Sequence, residues 1–247
     1  LSGALRALTA ALAHRIGDIE NFAADVAHEL KNPLTSLRSA VETAARVQDP
    51  EAQKKLMAII RDDVDRMTRL ITDISSASRL DAELGRAEFA SVDIGANLAQ
   101  MRDYYSQNVG EGGTRIDIRT TGDNLRVMGV RGRLAQVFQN LLDNAISFSP
   151  AGASVKLLAS RVGDFVQIEV EDSGPGIPES KLGAVFDRFY SERPKSEKFG
   201  THSGLGLSIS KQIVEAHHGR IWAENRRDDA GNVIGAKFIV QIPASET

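Results

Sequence analysis

The sequence contains no cysteine. That excludes a disulfide framework and any thiolate metal site, and it fits a reducing compartment. No stretch approaches about eighteen consecutive apolar residues and no secretory leader opens the chain, so nothing reads as a membrane span or signal peptide. A formal net charge of −3 gives no electrostatic case for nucleic acid or a membrane surface. There is no internal repeat and no low-complexity tract. Neither a Walker-type loop nor a GxGxxG fingerprint is present. What remains is ordinary globular composition, 42% hydrophobic and 26% charged over 247 residues, enough for one large domain or two smaller ones. The first residue is Leu1, and the sequence reads as a piece of a longer protein, with any membrane span upstream of it.

Residues 1–47 read as one long helix. Its apolar stripe of Leu5, Leu8, Leu12, Ile16, Ile19, Phe22, Val26 and Leu30 advances in steps of three and four. Pro33 predicts a bend. Gln48–Asp49–Pro50 reads as a turn. Residues 51–79 read as a second helix, with Met57, Ile60, Val64, Met67, Ile71 and Ile74 at heptad spacing. One hairpin cannot bury both stripes, whereas two hairpins in a dimer make a four-helix bundle. A linker is expected at 81–88, around Gly85. From residue 89 the texture is mixed. Helices are expected at 94–107, 134–148 and 205–218, and alternating strands at 114–119, 155–159, 166–170, 220–224 and 236–242. That order predicts helices on one face of a mixed sheet, an α+β two-layer sandwich. Trp222 is expected in its core.

The segment Phe22–Leu34 reads FAADVAHELKNPL. His28 lies two residues from both Val26 and Leu30, about 200° around the helix from the stripe, so its imidazole faces solvent. An exposed histidine beside Glu29 has the makings of a nucleophile. A plain surface histidine is the bland alternative, and a lone His-Glu pair favours it.

Three further motifs follow. Asn140 and Asn144 stand four apart on one edge of the 134–148 helix, with Gln136 and Ser147 on the same flank. Their neutral oxygens suit a hard cation that already carries phosphate ligands, although two surface asparagines would look the same. Asp172-Ser173-Gly174-Pro175-Gly176-Ile177 follows a strand; its glycines permit a sharp turn with close backbone access, and its carboxylate can accept from an exocyclic amine. Ser203-Gly204-Leu205-Gly206-Leu207 opens the last long helix, where free N–H groups and the helix dipole favour phosphate. Between them, Phe186, Arg188, Phe189 and Tyr190 lead into a polar stretch with Arg193, Lys195 and Lys198 that reads as a lid over a polyphosphate or as a solvated loop.

In order and spacing, these motifs resemble the cytoplasmic part of a sensor histidine kinase of a two-component system, across nearly the whole chain. His28–Leu34 is similar to the H box, Asn140–Asn144 to the N box, Asp172–Gly176 to the G1 box, Phe186–Phe189 to the F box and Gly204–Gly206 to the G2 box. Phe199–Ser210 is most similar to ChvG-type kinases. The resemblance implies a signalling helix over 1–18, a dimerisation and histidine phosphotransfer domain over 19–80, and a Bergerat-type ATP-binding domain over 89–245. It implies ATP and Mg²⁺ as cofactors, with Asn140 and Asn144 on the metal. Asp172 would take the adenine amine. Gly174, Gly176, Ile177, Phe186, Arg188, Tyr190, Ser203, Gly204, Leu205, Gly206 and Leu207 would line the nucleotide. It implies that His28 is the phosphoacceptor, Glu29 its general base, and Asn32, one turn on, the residue that orients water for removing phosphate from the partner. The partners implied are a second copy of the chain and a response-regulator receiver domain, with no direct nucleic acid. The location implied is the cytoplasmic portion of an inner-membrane sensor. Two departures from the family pattern are Ser147, where relatives often carry a cation, and His202, where many have glycine. The rival readings are an ATPase of the wider Bergerat superfamily and a non-catalytic dimeric receiver-binding scaffold.

Overall fold

Asp49 and Pro50 start the second helix. The Asp49 carboxylate accepts from the backbone N–H groups of Glu51 and Ala52, at 3.3 and 3.2 Å, which is an N-cap. Pro50 is the first helical residue, where its missing N–H costs nothing. The computed structural model describes residues 2–108, 114–190 and 203–245. Helix α1 is Ser2–Ala44 and α2 is Pro50–Leu84. The chain divides into two compact units, one carried mainly by residues up to Ser75 and the other by Ser76–Arg193 and Gly204–Thr247.

In the helical unit, α1 is continuous through Pro33. The ring removes one hydrogen bond, leaving the Glu29 carbonyl without its i+4 donor. Ala40 and Leu70 are buried, yet the stripes remain largely uncovered: Ile16, Leu34, Val41, Met57, Val64 and Ile71 are 46–54% exposed. This is the apolar surface that one hairpin has no means to bury. The side chains of Leu5, Leu8, Leu12 and Ile19 lie outside the described residues. No helix among the described residues is long and apolar enough to cross a membrane.

Helix α2 runs through Leu84, four residues into the expected linker, because Asp81-Ala82-Glu83-Leu84 carries no helix breaker before Gly85. Strand β1 (Ala90–Asp93) then pairs antiparallel with β3 (Arg126–Gly129). Four-residue strands are too short for alternation to announce them, and the sequence pattern shows neither. The main sheet has the order β2-β4-β5-β7-β6, from Arg115–Thr121, Ser154–Val162, Phe165–Glu171, Val233–Pro243 and Arg220–Arg227. The β2–β4 pair is parallel and the others antiparallel. Helices α3 (Ile94–Asn108), α4 (Arg131–Phe148) and α5 (Gly206–Ala216) complete an α/β sandwich.

Register builds the core. Leu157 faces Val170, which faces Phe238; Ala159 faces Ile168, which faces Val240. All six are at most 2% exposed, as are Leu134, Val137, Phe138, Leu141 and Ala145 of α4. Each contributes roughly 1.5–3 kcal/mol where a Val-, Leu- or Phe-sized side chain is buried. Trp222 corrects the expectation. It lies on edge strand β6 opposite Ile239, half-buried, with Nε1 donating to Glu224 at 2.8 Å and the Arg220 guanidinium 5.9 Å over its ring. Residues 220, 222 and 224 share the outer face of the strand, while Ala223 points inward.

Candidate functional site

In the helical unit, His28 is exposed on α1 and its side chain makes no hydrogen bond among the described residues. Asn32 is exposed one turn further on. Glu29 is half-buried, and its Oε2 accepts from Arg66 Nη2 of α2 at 3.2 Å. The neighbour of the nucleophilic candidate is thus a carboxylate held by a cation. The sequence pointed to Glu29 but not to Arg66, which lies 37 residues away.

The sandwich unit gathers the other motifs. Asp172 follows β5 and is 3% exposed. Its Oδ1 accepts from the N–H groups of Gly174 and Ala236, at 2.9 and 2.8 Å. Its Oδ2 accepts nothing among the described residues. Burial raises its pKa, against the lowering effects of those two N–H groups and of Arg226. A ligand amine would therefore meet one oriented, unengaged carboxylate oxygen.

The turn that follows is held from β6. Asn225 Nδ2 donates to the Ile177 carbonyl at 2.6 Å, and the Ile177 N–H donates back to Asn225 Oδ1 at 2.7 Å. Arg226 Nη1 donates to the Asp172 carbonyl at 2.6 Å. Gly176 has φ +77°, and a Cβ there would come within 2.3 Å of Val233 and 2.8 Å of Asn225. Only glycine fits.

Asn140 joins α4 to α5. Its Nδ2 donates to the Gly206 carbonyl at 3.0 Å and to Ser210 Oγ at 3.2 Å. Its Oδ1 and the Asn144 side chain have no partner among the described residues. The described residues include no cluster of three His, Cys, Asp or Glu groups suited to a metal. What the site offers a cation is neutral amide oxygen, which fits Mg²⁺ arriving with phosphate and water ligands. Beside Asn144, Asp143 accepts from the Tyr105 hydroxyl at 2.6 Å; burial pushes both groups up in pKa. Ser147 donates to the Asn144 carbonyl at 3.0 Å.

Leu205 occupies the cap position of α5, and no described side chain caps that start. Leu205 is buried at 1%, and Gly206 and Leu207 follow half-buried in the first turn. The N–H groups of the first turn, Gly206 and Leu207, have no side-chain partner among the described residues and suit an anion. Gly204, at φ +74°, packs against the Phe189 backbone, where a Cβ would sit 2.9 Å from Phe189 Cα. The Phe189 N–H donates to the Gly204 carbonyl at 3.0 Å. Phe186 is in the core, edge-on to Phe238 at 6.2 Å, and anchors the segment. Arg188 is exposed and Tyr190 half-buried. The Ser203 hydroxyl donates to Asp73, both in the helical unit. Arg193, Lys195, Lys198 and His202, with the rest of the expected lid, lie outside the described residues.

His217 belongs to no sequence motif. It is 2% exposed; its Nε2 accepts from the Val130 N–H at 3.0 Å, and Nδ1 lies 2.7 Å from the Ile213 carbonyl. Only the neutral tautomer with Nδ1–H makes both bonds.

Residues 18–83 match the His Kinase A (phospho-acceptor) domain, and residues 129–246 match the histidine kinase-, DNA gyrase B- and HSP90-like ATPase family. The chain is 48% identical to the sensor protein ChvG of Rhizobium meliloti (strain 1021) over 99% of its length and 44% of the relative's. It is 47% identical to ChvG of Agrobacterium fabrum, over 100% and 43% respectively. The chain thus spans less than half the length of these relatives. Among solved structures, it is similar to histidine kinase ThkA in complex with response regulator protein TrrA (26% identity, TM-score 0.74, 94% of this chain and 64% of that one). The Acinetobacter baumannii histidine kinase AdeS shares the fold (23% identity, TM-score 0.64, 89% and 98%). With a phosphoacceptor region followed by an ATPase region, and with relatives of that kind along its whole length, the chain belongs to the sensor histidine kinases.

Proposed function

We propose that this chain phosphorylates His28 from ATP and passes the phosphoryl group to an aspartate of a response-regulator receiver domain. The observation that carries the reading is His28 itself, exposed and unengaged among the described residues, with Glu29 as its neighbour. Glu29 takes the Nδ1 proton. The Nε2 lone pair attacks the γ-phosphorus, the bond to the β,γ-bridging oxygen breaks, and ADP leaves. Asp172 orients the base through its amine, and the start of α5 faces the phosphates. Bound Mg²⁺, held by Asn140 and Asn144, supplies charge neutralisation on the phosphates. Positioning and electrostatics of this kind account for most of catalysis in phosphoryl transfer.

Asn32 orients water against the phosphorylated partner, making the protein a phosphatase as well. The uncovered apolar stripes support a homodimer built as a four-helix bundle. A receiver domain as partner is supported by the solved relative named as a complex with a response regulator. The parent protein is an inner-membrane sensor with this portion in the cytoplasm.

Incubation with γ-³²P-labelled ATP tests the reading. Acid-labile, alkali-stable label on wild type, and none on His28→Ala, is the expected result. Free phosphate released without labelled protein would instead favour a simple ATPase. Absence of nucleotide binding would leave only a scaffold that binds receivers.

A further inference from the structure

We propose that Asn225 is the positioning residue for the nucleotide base, acting through the Asp172–Ile177 turn. The proposal rests on the ATP reading above and adds to it a residue outside every motif of the sequence. Asparagine is depleted in strands, yet Asn225 sits inside β6, paired with Ala236 of β7. Its amide uses both kinds of hydrogen-bonding group on one residue. Nδ2 donates to the Ile177 carbonyl, and Oδ1 accepts from the Ile177 N–H. That reciprocal pair imitates a rung of an antiparallel ladder where the turn has no strand beside it. The same Nδ2 reaches Glu179 Oε1 at 3.2 Å, and Arg227 Nη2 donates to that oxygen as well, at 2.6 Å.

The two ends of the turn are gripped by consecutive residues. Asn225 fixes Ile177; Arg226 fixes the Asp172 carbonyl and pairs with Glu171 at 3.2 Å. Neighbouring strand residues face opposite sides of a sheet, so the grip comes from both. A register irregularity lies at Arg226/Arg227, the kind of bulge that re-aims side chains. With both ends held, the Asp172 carboxylate and the Gly174–Gly176 backbone keep one spacing before a ligand arrives, which is preorganisation.

The chemistry admits few substitutes. Aspartate matches the shape but has no hydrogen to give the Ile177 carbonyl. Alanine supplies neither bond. Glutamine carries both groups one methylene too far. Asn225→Asp keeps the volume and is the main variant, with Asn225→Ala beside it. The readouts are ADP and GDP affinity by calorimetry, the KM for ATP and kcat for labelling of His28, thermal stability, and hydrogen exchange at the Ile177 amide.

The expected result is folded Asn225→Asp whose affinity for ADP falls about tenfold. Its preference for ADP over GDP shrinks, while kcat at saturating ATP stays within about threefold. Exchange at the Ile177 amide quickens in Asn225→Ala, which lacks the acceptor that Asn225→Asp retains. Loss of thermal stability with unchanged affinity and unchanged ADP/GDP preference would make Asn225 a structural residue only and overturn the proposal. Wild type that binds ADP, with both variants matching it, overturns this proposal alone. Wild type that binds no adenine nucleotide overturns the ATP reading and this one with it.

Discussion

Arg66 Nη2 on α2 donates to Glu29 Oε2 on α1 at 3.2 Å, one residue from the exposed His28. Both side chains are partly shielded, at 15% and 23% exposure. In a pair this shielded, desolvation offsets much of the Coulomb attraction, so the pair is weak evidence for stability. Its consequence is for orientation: one guanidinium hydrogen bond restrains the Glu29 Oε2 oxygen. Glu29→Gln keeps the shape and removes the proposed base, and is expected to slow His28 labelling by about 10²–10⁴-fold. Arg66→Ala leaves the base but frees its orientation, and is expected to slow labelling by about tenfold. Single-turnover labelling with saturating ATP measures both. Equal losses in the two variants would contradict the separation of basicity from orientation.

Asp172 predicts a pH dependence of nucleotide binding. Burial raises its pKa above the ordinary carboxylate value. Oδ1 is committed to two N–H groups, so an added proton goes to Oδ2. That oxygen then donates, and opposes an amine that also donates. Affinity for ADP is therefore expected to be full at neutral pH and to fall as pH drops through the raised pKa, earlier than for an ordinary aspartate near 3.9. The Asp172→Asn variant should bind weakly with no such dependence. Calorimetric titration across mildly acid pH checks this, and a wild-type affinity flat down to about pH 4 would refute it.

Asn140 has two duties that separate by mutation. Its nitrogen ties α4 to α5 through Gly206 and Ser210, while its oxygen is the proposed cation ligand. Asn140→Asp keeps an oxygen there but sets a carboxylate against the Gly206 carbonyl, and is expected to cost about 1–3 kcal/mol. Asn144→Asp, with no side-chain bond to lose, should cost less than about 0.5 kcal/mol. Urea denaturation distinguishes them. Equal stability of the two variants would mean the α4–α5 tie contributes nothing.

The period-2 alternation of 155–159, 166–170 and 236–242 makes one sheet face legible, and those residues are the buried ones. The 3.6-residue period of 134–148 does the same for α4. What stays hidden are partnerships across long separations: Arg66 with Glu29 at 37 residues, Asn225 with Ile177 at 48, and Val130 with His217 at 87. Local periodicity holds no record of which distant segment folds back onto a residue. Asn225 leaves no trace either, lying one residue past the strand expected at 220–224, which in the structure runs to Arg227. β1 and β3 leave none, each being four residues long. For Trp222, size argues for burial, whereas its position on edge strand β6 decides its exposure.

His217 predicts how stability responds to acid. Its ring faces the Val130 N–H and the Ile213 carbonyl, stacks on Phe89 at 4.8 Å, and has His218 next in the chain. A Cβ on Gly129 would lie 2.5 Å from it, so that backbone approaches as closely as glycine allows. Burial pushes its pKa below the usual value, and His218 adds to that. Protonation puts a hydrogen on Nε2 against the Val130 N–H, at the start of α4. Between the lowered folded pKa and about 6.5, the unfolded chain binds more protons than the folded one. The contribution of His217 is therefore complete above about pH 6.5 and is lost as pH falls, by up to about 1.4 kcal/mol per pH unit. Asp73, Asp143 and Asp172, all raised by burial, act in the opposite sense and are common to both proteins. The diagnostic quantity is thus the difference between wild type and His217→Gln. Glutamine keeps a donor and an acceptor but does not titrate. Urea midpoints for the two proteins are expected to converge as pH falls from about 7.5 to 5.5. Parallel curves across that range would show that His217 takes up no proton on unfolding.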